Sequence, residues 1–414
     1  MVLINFIKSI LGSESGANQV TVTTFHKWTY KFLKEKGYWN DYSVAADNNE
    51  IDQIIEVSLS NLREKFPKVK ILQKSVEFYK DEFSWLKGKQ ILEFKNYADA
   101  KRTGRGTTDR VTAEDKKLIW ELYVAYCDYL ISNKKLDFDD FANIVFQYIE
   151  NDTEFSPPFS HIVIDEAQDL SVAQLKVMKS LVSKETNSLT IIADAAQRIY
   201  KSGFTWAEVG LNVRGGRSVE LKKNYRNTKQ IAQAAVSLLS HDPQQGDFTE
   251  QVVPERNGVK PKVILGLTFQ SQAEELLSVI NSLDLQQESM VILHRTHRGL
   301  RSLSDYLGKK GCSVNIIAKN SEYDFRTGLF ACTMSSVKGL EFDYVFLCDL
   351  NDDVVPYLVS SADDNDDLQI STERRLLYTC MTRARNELWL ATSTDNPCRF
   401  LDEIDASLLV YDKP

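Results

Sequence analysis

The chain has 414 residues, 43% of them hydrophobic and 26% charged, with a formal net charge of −8. That length holds roughly two or three domains of ordinary size, and the balance excludes a disordered or collagenous chain. The acidic surplus excludes a global pull toward nucleic acid and leaves room only for a local basic groove. The six cysteines (Cys127, Cys312, Cys332, Cys348, Cys380, Cys398) form no CxxC pair and have no histidine at zinc spacing. They read as reduced thiols of a cytoplasmic protein. No apolar run reaches membrane-spanning length, and the apolar N-terminus is interrupted by Lys8.

In chain order, QVTVTT (Gln19–Thr24) is β-branched enough to predict a strand, and Phe25 to about Lys36 a helix. Residues 40–135 carry the helical period almost throughout. Within them, Thr112–Asp115 has the form of a capping box before Leu118, Ile119, Leu122, Tyr126 and Leu130. The basic loop Lys101–Arg110 reads as solvated rather than as a nucleic-acid contact. From Leu136 onward the pattern alternates strand and helix. Predicted strands are His161–Asp165, Leu189–Ala193, Val219–Leu221, Val263–Leu265, Val291–His294, Val314–Ile317, Leu329–Thr333, Tyr344–Cys348 and Glu387–Ala391. Predicted helices include Val172–Val182, Thr228–Leu239, Gln272–Asn281, Gly299–Lys309 and Thr372–Ala384. Several strands are apolar throughout, as buried parallel strands are. The fold class is therefore α/β with a helical insertion. Ser360–Asp367 predicts an exposed loop, and no internal repeat occurs.

The chemistry centres on HIVIDEAQD. The strand Ile162–Ile164 delivers Asp165 and Glu166 to its C-terminal end, where open α/β sheets bind ligands. Asp165 could hold Mg²⁺ and Glu166 could orient and deprotonate a water. Taken alone, two such carboxylates are equally the solvated end of a loop. LTIIADAAQRIY then places Asp194 and Gln197 at the end of the next strand, with Gln197 able to sense a γ-phosphate and Tyr200 able to stack on a base. In LKKNYRN, Tyr225 could stack on adenine and Arg226 reach phosphate. SSVKGLEFDYVFL sets Lys338, Gly339 and Glu341 before a buried strand. ERRLLYTCMTRARNEL places Arg374, Arg375, Arg383 and Arg385 on a predicted helix, with Arg375 and Arg383 sharing roughly one face.

These blocks, in this order, resemble the UvrD/Rep group of superfamily 1 DNA helicases. VTVTTFH resembles that family's Thr-Phe-His block, IVIDEAQD its Walker B motif and ADAAQRIY motif III. NYRN resembles motif IV, MVILHRTHRGLR the strand–Arg-Thr block that follows, TMSSVKGLEF motif V and ERRLLYTCMTRAR motif VI. The resemblance runs from about residue 3 to residue 395. It implies two RecA-like parallel-sheet domains clasping ATP, with the first domain N-terminally incomplete. The implied organisation is 1–36 for the start of the first domain, 37–135 for the helical insertion, 136–215 for the remainder of the first domain and 216–414 for the second.

The resemblance also implies roles. Asp165 and Glu166 become the magnesium and water-activating pair, and Gln197 the γ-phosphate-coupled residue. Tyr225 stacks on adenine, Glu341 meets the ribose, and Arg226 and Arg383 are arginine fingers. Thr24, His26, Tyr200, Arg295, Thr333 and Ser335 face single-stranded DNA, along which such motors step 3′ to 5′. Departures are equally specific. No Gly-Lys-Ser/Thr P-loop occurs; Gly88-Lys89-Gln90 is the nearest triplet and falls in helical context. Leu3–Gly12 resembles the tail of motif Ia, so the chain is expected to begin inside the first domain, as an N-terminally shortened polypeptide or gene model. Ala193 replaces a glycine, Ser335 a histidine, and the stacking role of Trp206 is displaced by the KSGFTW continuation. Thr296 and Thr333 lie only 37 positions apart, too few for the inserted domain of larger members. The expected function is the motor portion of an ATP-dependent helicase, inactive without a P-loop from an upstream segment or a partner chain. The alternative is a non-catalytic module that holds single-stranded DNA or a partner.

Overall fold

The computed structural model describes residues 20–45, 48–100, 111–193, 208–211, 217–219, 223–243, 253–266, 268–317, 325–357 and 367–412. In chain order the helices are α1 (Phe25–Glu35), α2 (Asn48–Lys65), α3 (Val76–Gly88), α4 (Phe94–Asp99), α5 (Ala113–Ser132), α6 (Asp140–Asn151), α7 (Val172–Ser180), α8 (Lys229–Leu239), α9 (Phe269–Asn281), α10 (His297–Lys309), α11 (Asp367–Met381) and α12 (Arg399–Asp402). The strands are β1 (Ser43–Val44), β2 (Lys135–Leu136), β3 (His161–Ile164), β4 (Ser188–Ile191), β5 (Lys262–Gly266), β6 (Ser289–His294), β7 (Asn315–Ile316), β8 (Gly328–Thr333), β9 (Phe342–Leu347), β10 (Ala384–Ser393) and β11 (Val410–Asp412). Every ladder between them is parallel, which makes the fold mixed α/β of the doubly covered kind.

The large sheet has seven strands in the order β11-β5-β10-β9-β6-β8-β7. Its inner strand β6 is buried at all six positions, the continuous apolar run that predicts a two-sided strand. One face packs against α8 and α11 through Ile231, Leu238, Leu376, Leu377 and Met381, and the other against α9 and α10 through Leu276, Ile280, Leu300 and Leu303. Each such side chain contributes about 1.5–3 kcal/mol on burial. This layered body carries most of the residues that the sequence marks for chemistry.

The region predicted helical contains α2, α3, α4 and α5. They close on an aromatic core of Tyr79, Phe83, Trp85, Tyr97, Tyr123 and Tyr126. The predicted capping box is present at the start of α5: Thr112 Oγ1 accepts from the Asp115 N–H, and the Asp115 carboxylate accepts from the Thr112 N–H. The helical unit meets the remainder at the end of α3. A Cβ added at Gly88 would lie 2.9 Å from the Ser171 Cβ, so only glycine fits this approach between α3 and the cap of α7. Gly88 thus serves packing, and Lys89 beside it pairs with Glu208 at 2.8 Å. Neither serves as a phosphate loop.

β3 and β4 form a small two-stranded sheet, covered on one side by α7 through Ile164, Val172 and Leu175. On the other side Val163 is 61% exposed and Ile192 49% exposed, unlike the inner strands of the large sheet. Two expectations are corrected. Val20–Thr24 makes no strand ladder with any of the described residues; Thr24 ends this segment as the N-cap of α1, its hydroxyl accepting from the Lys27 N–H. α11 stops at Met381, so Arg383 lies in the turn beyond it and Arg385 on β10 rather than on one helix with Arg375. Two predicted features, the Lys101–Arg110 loop and the Leu3–Gly12 segment, lie outside the described residues, as does nearly all of the Ser360–Asp367 loop; the predicted Val219–Leu221 strand does so except at Val219.

Candidate nucleotide and DNA site

The turn after β3 presents Asp165, Glu166 and Asp169. Asp165 is exposed and its Oδ1 accepts the Glu166 N–H at 3.0 Å. Glu166 adopts left-handed backbone, φ 54°, an uncommon conformation for a non-glycine residue and one concentrated at functional sites. Its Oε2 accepts from Gln168 Nε2 at 2.6 Å and lies 3.2 Å from the Lys338 ammonium. The same ammonium is 2.6 Å from Asp169 Oδ2. Lys338 belongs to the loop before β9 of the large sheet, so this contact joins the two sheets. Burial raises the pKa of the Asp169 carboxyl, against the pull of Lys338.

From the large-sheet side come two arginines. Arg226 donates from Nε to Glu341 Oε1. Its backbone N–H goes to Asn224 Oδ1 at 2.9 Å, and its carbonyl accepts from Arg256 at 2.8 Å. Arg383 is 1% exposed and donates from Nε to the Thr379 carbonyl at 2.9 Å. Burial holds its pKa below the ordinary arginine value; the nearby Arg226 adds to this, while Glu166 and Glu341 oppose it. Four charged residues called by the sequence, Glu166, Arg226, Glu341 and Arg383, therefore share one electrostatic neighbourhood. Tyr225 beside them is 79% exposed, with the Lys223 ammonium 5.2 Å from its ring centroid.

The residues expected to face DNA are spread more widely. Thr24 is exposed at the head of α1, and His26 is the second residue of that helix, its ring against the edge of Phe138 at 5.5 Å. Burial lowers the His26 pKa. Arg295 is engaged by Glu373 in a two-pronged ion pair (2.8 and 2.7 Å) and lies over the Tyr357 ring at 5.0 Å. Thr333 is buried, its hydroxyl 2.8 Å from that of Ser336, whereas Ser335 next to it is exposed. Gln197 and Tyr200, with Asp194 and Trp206, lie outside the described residues.

Sequence reading missed three supports. Lys338 was placed before a strand but given no role, and only the folded contact gives it one. Asn227 donates to the carbonyls of Thr382 (2.9 Å) and Ala384 (2.6 Å), bracketing Arg383. Asp242, buried to 0% side-chain exposure, takes both prongs of Arg375 and the Ser371 hydroxyl. Arg375 is thus a structural residue of the second sheet's packing and does not share a functional face with Arg383. Nothing in a sequence marks a carboxylate 133 positions away as its partner. Among the described residues there is no cluster of metal-ligating side chains, and no helix is long and apolar enough to cross a membrane.

The sequence profile of the UvrD/REP helicase N-terminal domain matches residues 3–211. That of the UvrD-like helicase C-terminal domain matches residues 219–327 and 327–395. The chain belongs to the UvrD/REP helicase family. Among curated relatives, the ATP-dependent DNA helicase srs2 of Schizosaccharomyces pombe is 27% identical over 340 residues, covering 77% of this chain and 37% of that protein. DNA helicase IV of Escherichia coli is 25% identical over 303 residues, covering 69% of this chain and 41% of the relative. The ATP-dependent DNA helicase PcrA of Bacillus subtilis is 24% identical over 344 residues, covering 77% and 42%. The chain spans about two fifths of the length of these relatives.

Proposed function

We propose that this chain is the motor portion of an ATP-dependent DNA helicase or translocase that moves 3′ to 5′ on single-stranded DNA. Residues 1–36 and 136–215 form one RecA-like body, 37–135 the helical insertion and 216–414 the second body. The observation that carries the reading is the contact of Glu166, from the small sheet, with Lys338 of the large one, in the same electrostatic neighbourhood as Arg383 and Arg226. Arg383, buried close to a second arginine, is stabilised by a polyanion placed against it.

The donor set fits magnesium and a nucleoside triphosphate. Asp165 offers an exposed carboxylate with one oxygen taken by backbone, a hard ligand suited to Mg²⁺. Bound Mg²⁺–ATP supplies a terminal phosphoryl group polarised for attack by water. Glu166 takes the proton from that water: its Oε2 is held by Gln168 and Lys338, which leaves Oε1 to accept. Arg226 and Arg383 meet the charge that develops on the phosphoryl oxygens. Tyr225 presents its face to the adenine, Glu341 exchanges its hold on Arg226 for the ribose, and Gln197 couples to the γ-phosphate. Thr24, His26, Tyr200, Arg295, Thr333 and Ser335 contact the DNA strand, Arg295 with its guanidinium already oriented by Glu373.

No Gly-Lys-Ser/Thr stands in these 414 residues, so the phosphate-cradling N–H groups and lysine must come from an upstream segment or a partner chain. Without them the chain does not turn over ATP, because losing even one preorganised donor costs about 10²–10³ in rate. Fluorescence anisotropy with labelled oligonucleotides tests the DNA half directly. Single-stranded DNA binds in preference to blunt duplex, weakens as salt rises, and binds less well after Thr24→Ala with Ser335→Ala. Equal or absent binding of the two DNAs overturns the reading. Tailed duplexes test polarity once a P-loop is supplied: a 3′ tail supports unwinding and a 5′ tail does not.

A further inference from the structure

Lys338 reaches out of a loop that is fixed on both sides. Val337 and Leu340 are buried in the core of the large sheet, and Gly339 between them has φ 78°, a turn that only glycine makes without strain. The lysine is therefore aimed rather than dangling, and its side chain is 13% exposed. Its target is equally fixed. The turn Ala167–Asp169 is held by the Ala167 N–H on the Ile192 carbonyl (3.0 Å) and the Leu170 N–H on the Ala167 carbonyl (3.0 Å). Two rigid loops from two sheets thus meet through one ammonium and two carboxylates.

We propose that Lys338 is a positioning residue that latches the large sheet to the Asp169 carboxylate and, through the same ammonium, fixes Glu166 Oε2. Asp169 is the anchor, at 2.6 Å, and Glu166 the shared partner, at 3.2 Å. Gln168 Nε2 holds the same Oε2 at 2.6 Å, so the carboxylate cannot rotate and Oε1 alone remains to accept a proton among the described residues. Bringing the two sheets together and orienting the base are then a single event. The orienting part rests on the reading of Glu166 as the water-activating group; the latch itself does not.

The test needs neither nucleotide nor DNA, so its failure is separate from a failure of the proposed function. Amide hydrogen exchange is followed in the full chain over residues 166–170 and 337–340, with the radius of gyration from small-angle scattering. Lys338→Met accelerates exchange in both turns by roughly tenfold or more, the size expected when a partly buried charged hydrogen bond is lost, and increases the radius. Asp169→Asn, which keeps the side-chain shape, does the same and serves if the lysine variant folds poorly. Lys338→Arg, and the exchanged pair Lys338→Asp with Asp169→Lys, return both turns toward wild type. Unchanged exchange in Lys338→Met and Asp169→Asn overturns the latch. So does acceleration that neither Lys338→Arg nor the exchanged pair reverses, since the charge pairing is then not its cause.

Discussion

The Asn227 carboxamide nitrogen lies 2.9 Å from the carbonyl oxygen of Thr382. The same nitrogen reaches the Ala384 carbonyl at 2.6 Å, so one fully buried amide spans the residue between them, Arg383. Asn227 directly follows Arg226, and the two arginines are therefore set by a single structural unit. Asn227→Ala leaves two buried carbonyls without their donor, at a cost of about 1–3 kcal/mol. Urea denaturation monitored by tryptophan fluorescence should show that loss, and Asn227→Asp should not recover it, because a carboxylate cannot donate.

Arg375 and Asp242 give a contrasting expectation. Both are buried and paired at 2.8 and 2.9 Å, and Ser371 completes the carboxylate's hydrogen bonds. Breaking such a pair from one side costs about 3–5 kcal/mol, whereas replacing both partners with apolar side chains costs much less. Arg375→Ala is therefore strongly destabilising, Arg375→Met with Asp242→Leu far less so. Single-stranded DNA affinity per folded molecule stays near wild type in the double variant. This separates Arg375 from Arg383, which the motif alone places together.

The seam between the helical unit and the rest carries a pH dependence. Lys87 is buried against Asp137 (2.6 Å) and Asp140 (2.7 Å), and Tyr126 donates to Asp137 at 2.8 Å. Burial and the Asp137 charge push Asp139 up to about 7 and Asp140 to about 6. Despite burial, Lys87 holds Asp137 below the usual carboxylate range. A carboxyl with a raised folded-state pKa binds its proton more tightly in the fold than in the unfolded chain, so stability falls as pH rises between the two values. Asp139 and Asp140 therefore remove stability from about pH 4 up to about 7 and 6 respectively, while Asp137 acts in the opposite sense. Asp139→Asn should lose less stability than wild type between pH 5 and 8 in denaturant titrations at both ends.

Arg383→Lys tests whether charge or geometry matters at the seam. A lysine keeps the charge but cannot donate from a planar fork. In a polypeptide supplied with a P-loop, turnover should fall by about 10³-fold, within the range known for arginine fingers. Single-stranded DNA binding should be unchanged in anisotropy.

What the sequence made legible follows from where the physics is local. Strands β6, β8, β9 and β10 are read from unbroken apolar runs, and the cap at Thr112 from residues three apart. Asp165 and Glu166 stand out because two adjacent carboxylates close the apolar run Ile162–Ile164. The strand expected at Gln19–Thr24 is not seen over Val20–Thr24 because β-branched residues signal a strand only when a neighbour pairs with them, and among the described residues none does. The shared face of Arg375 and Arg383 failed because α11 ends at Met381, two residues before the second arginine. Lys338, Asn227 and Asp242 were out of reach for the same reason. Their partners lie 169, 155 and 133 positions away, and no period or motif encodes such distances.

The central claim is that Glu166 of the small sheet and the arginines of the large one form a single ATP-hydrolysing site coupled to DNA. The direct measurement is ATP turnover stimulated by single-stranded DNA, compared for these 414 residues alone and joined to a P-loop-bearing strand, each with and without Glu166→Gln. The account predicts no turnover by the chain alone, DNA-stimulated turnover once the P-loop is supplied, and its abolition by Glu166→Gln with DNA binding retained. Turnover by the chain alone, or turnover that survives Glu166→Gln, would contradict it.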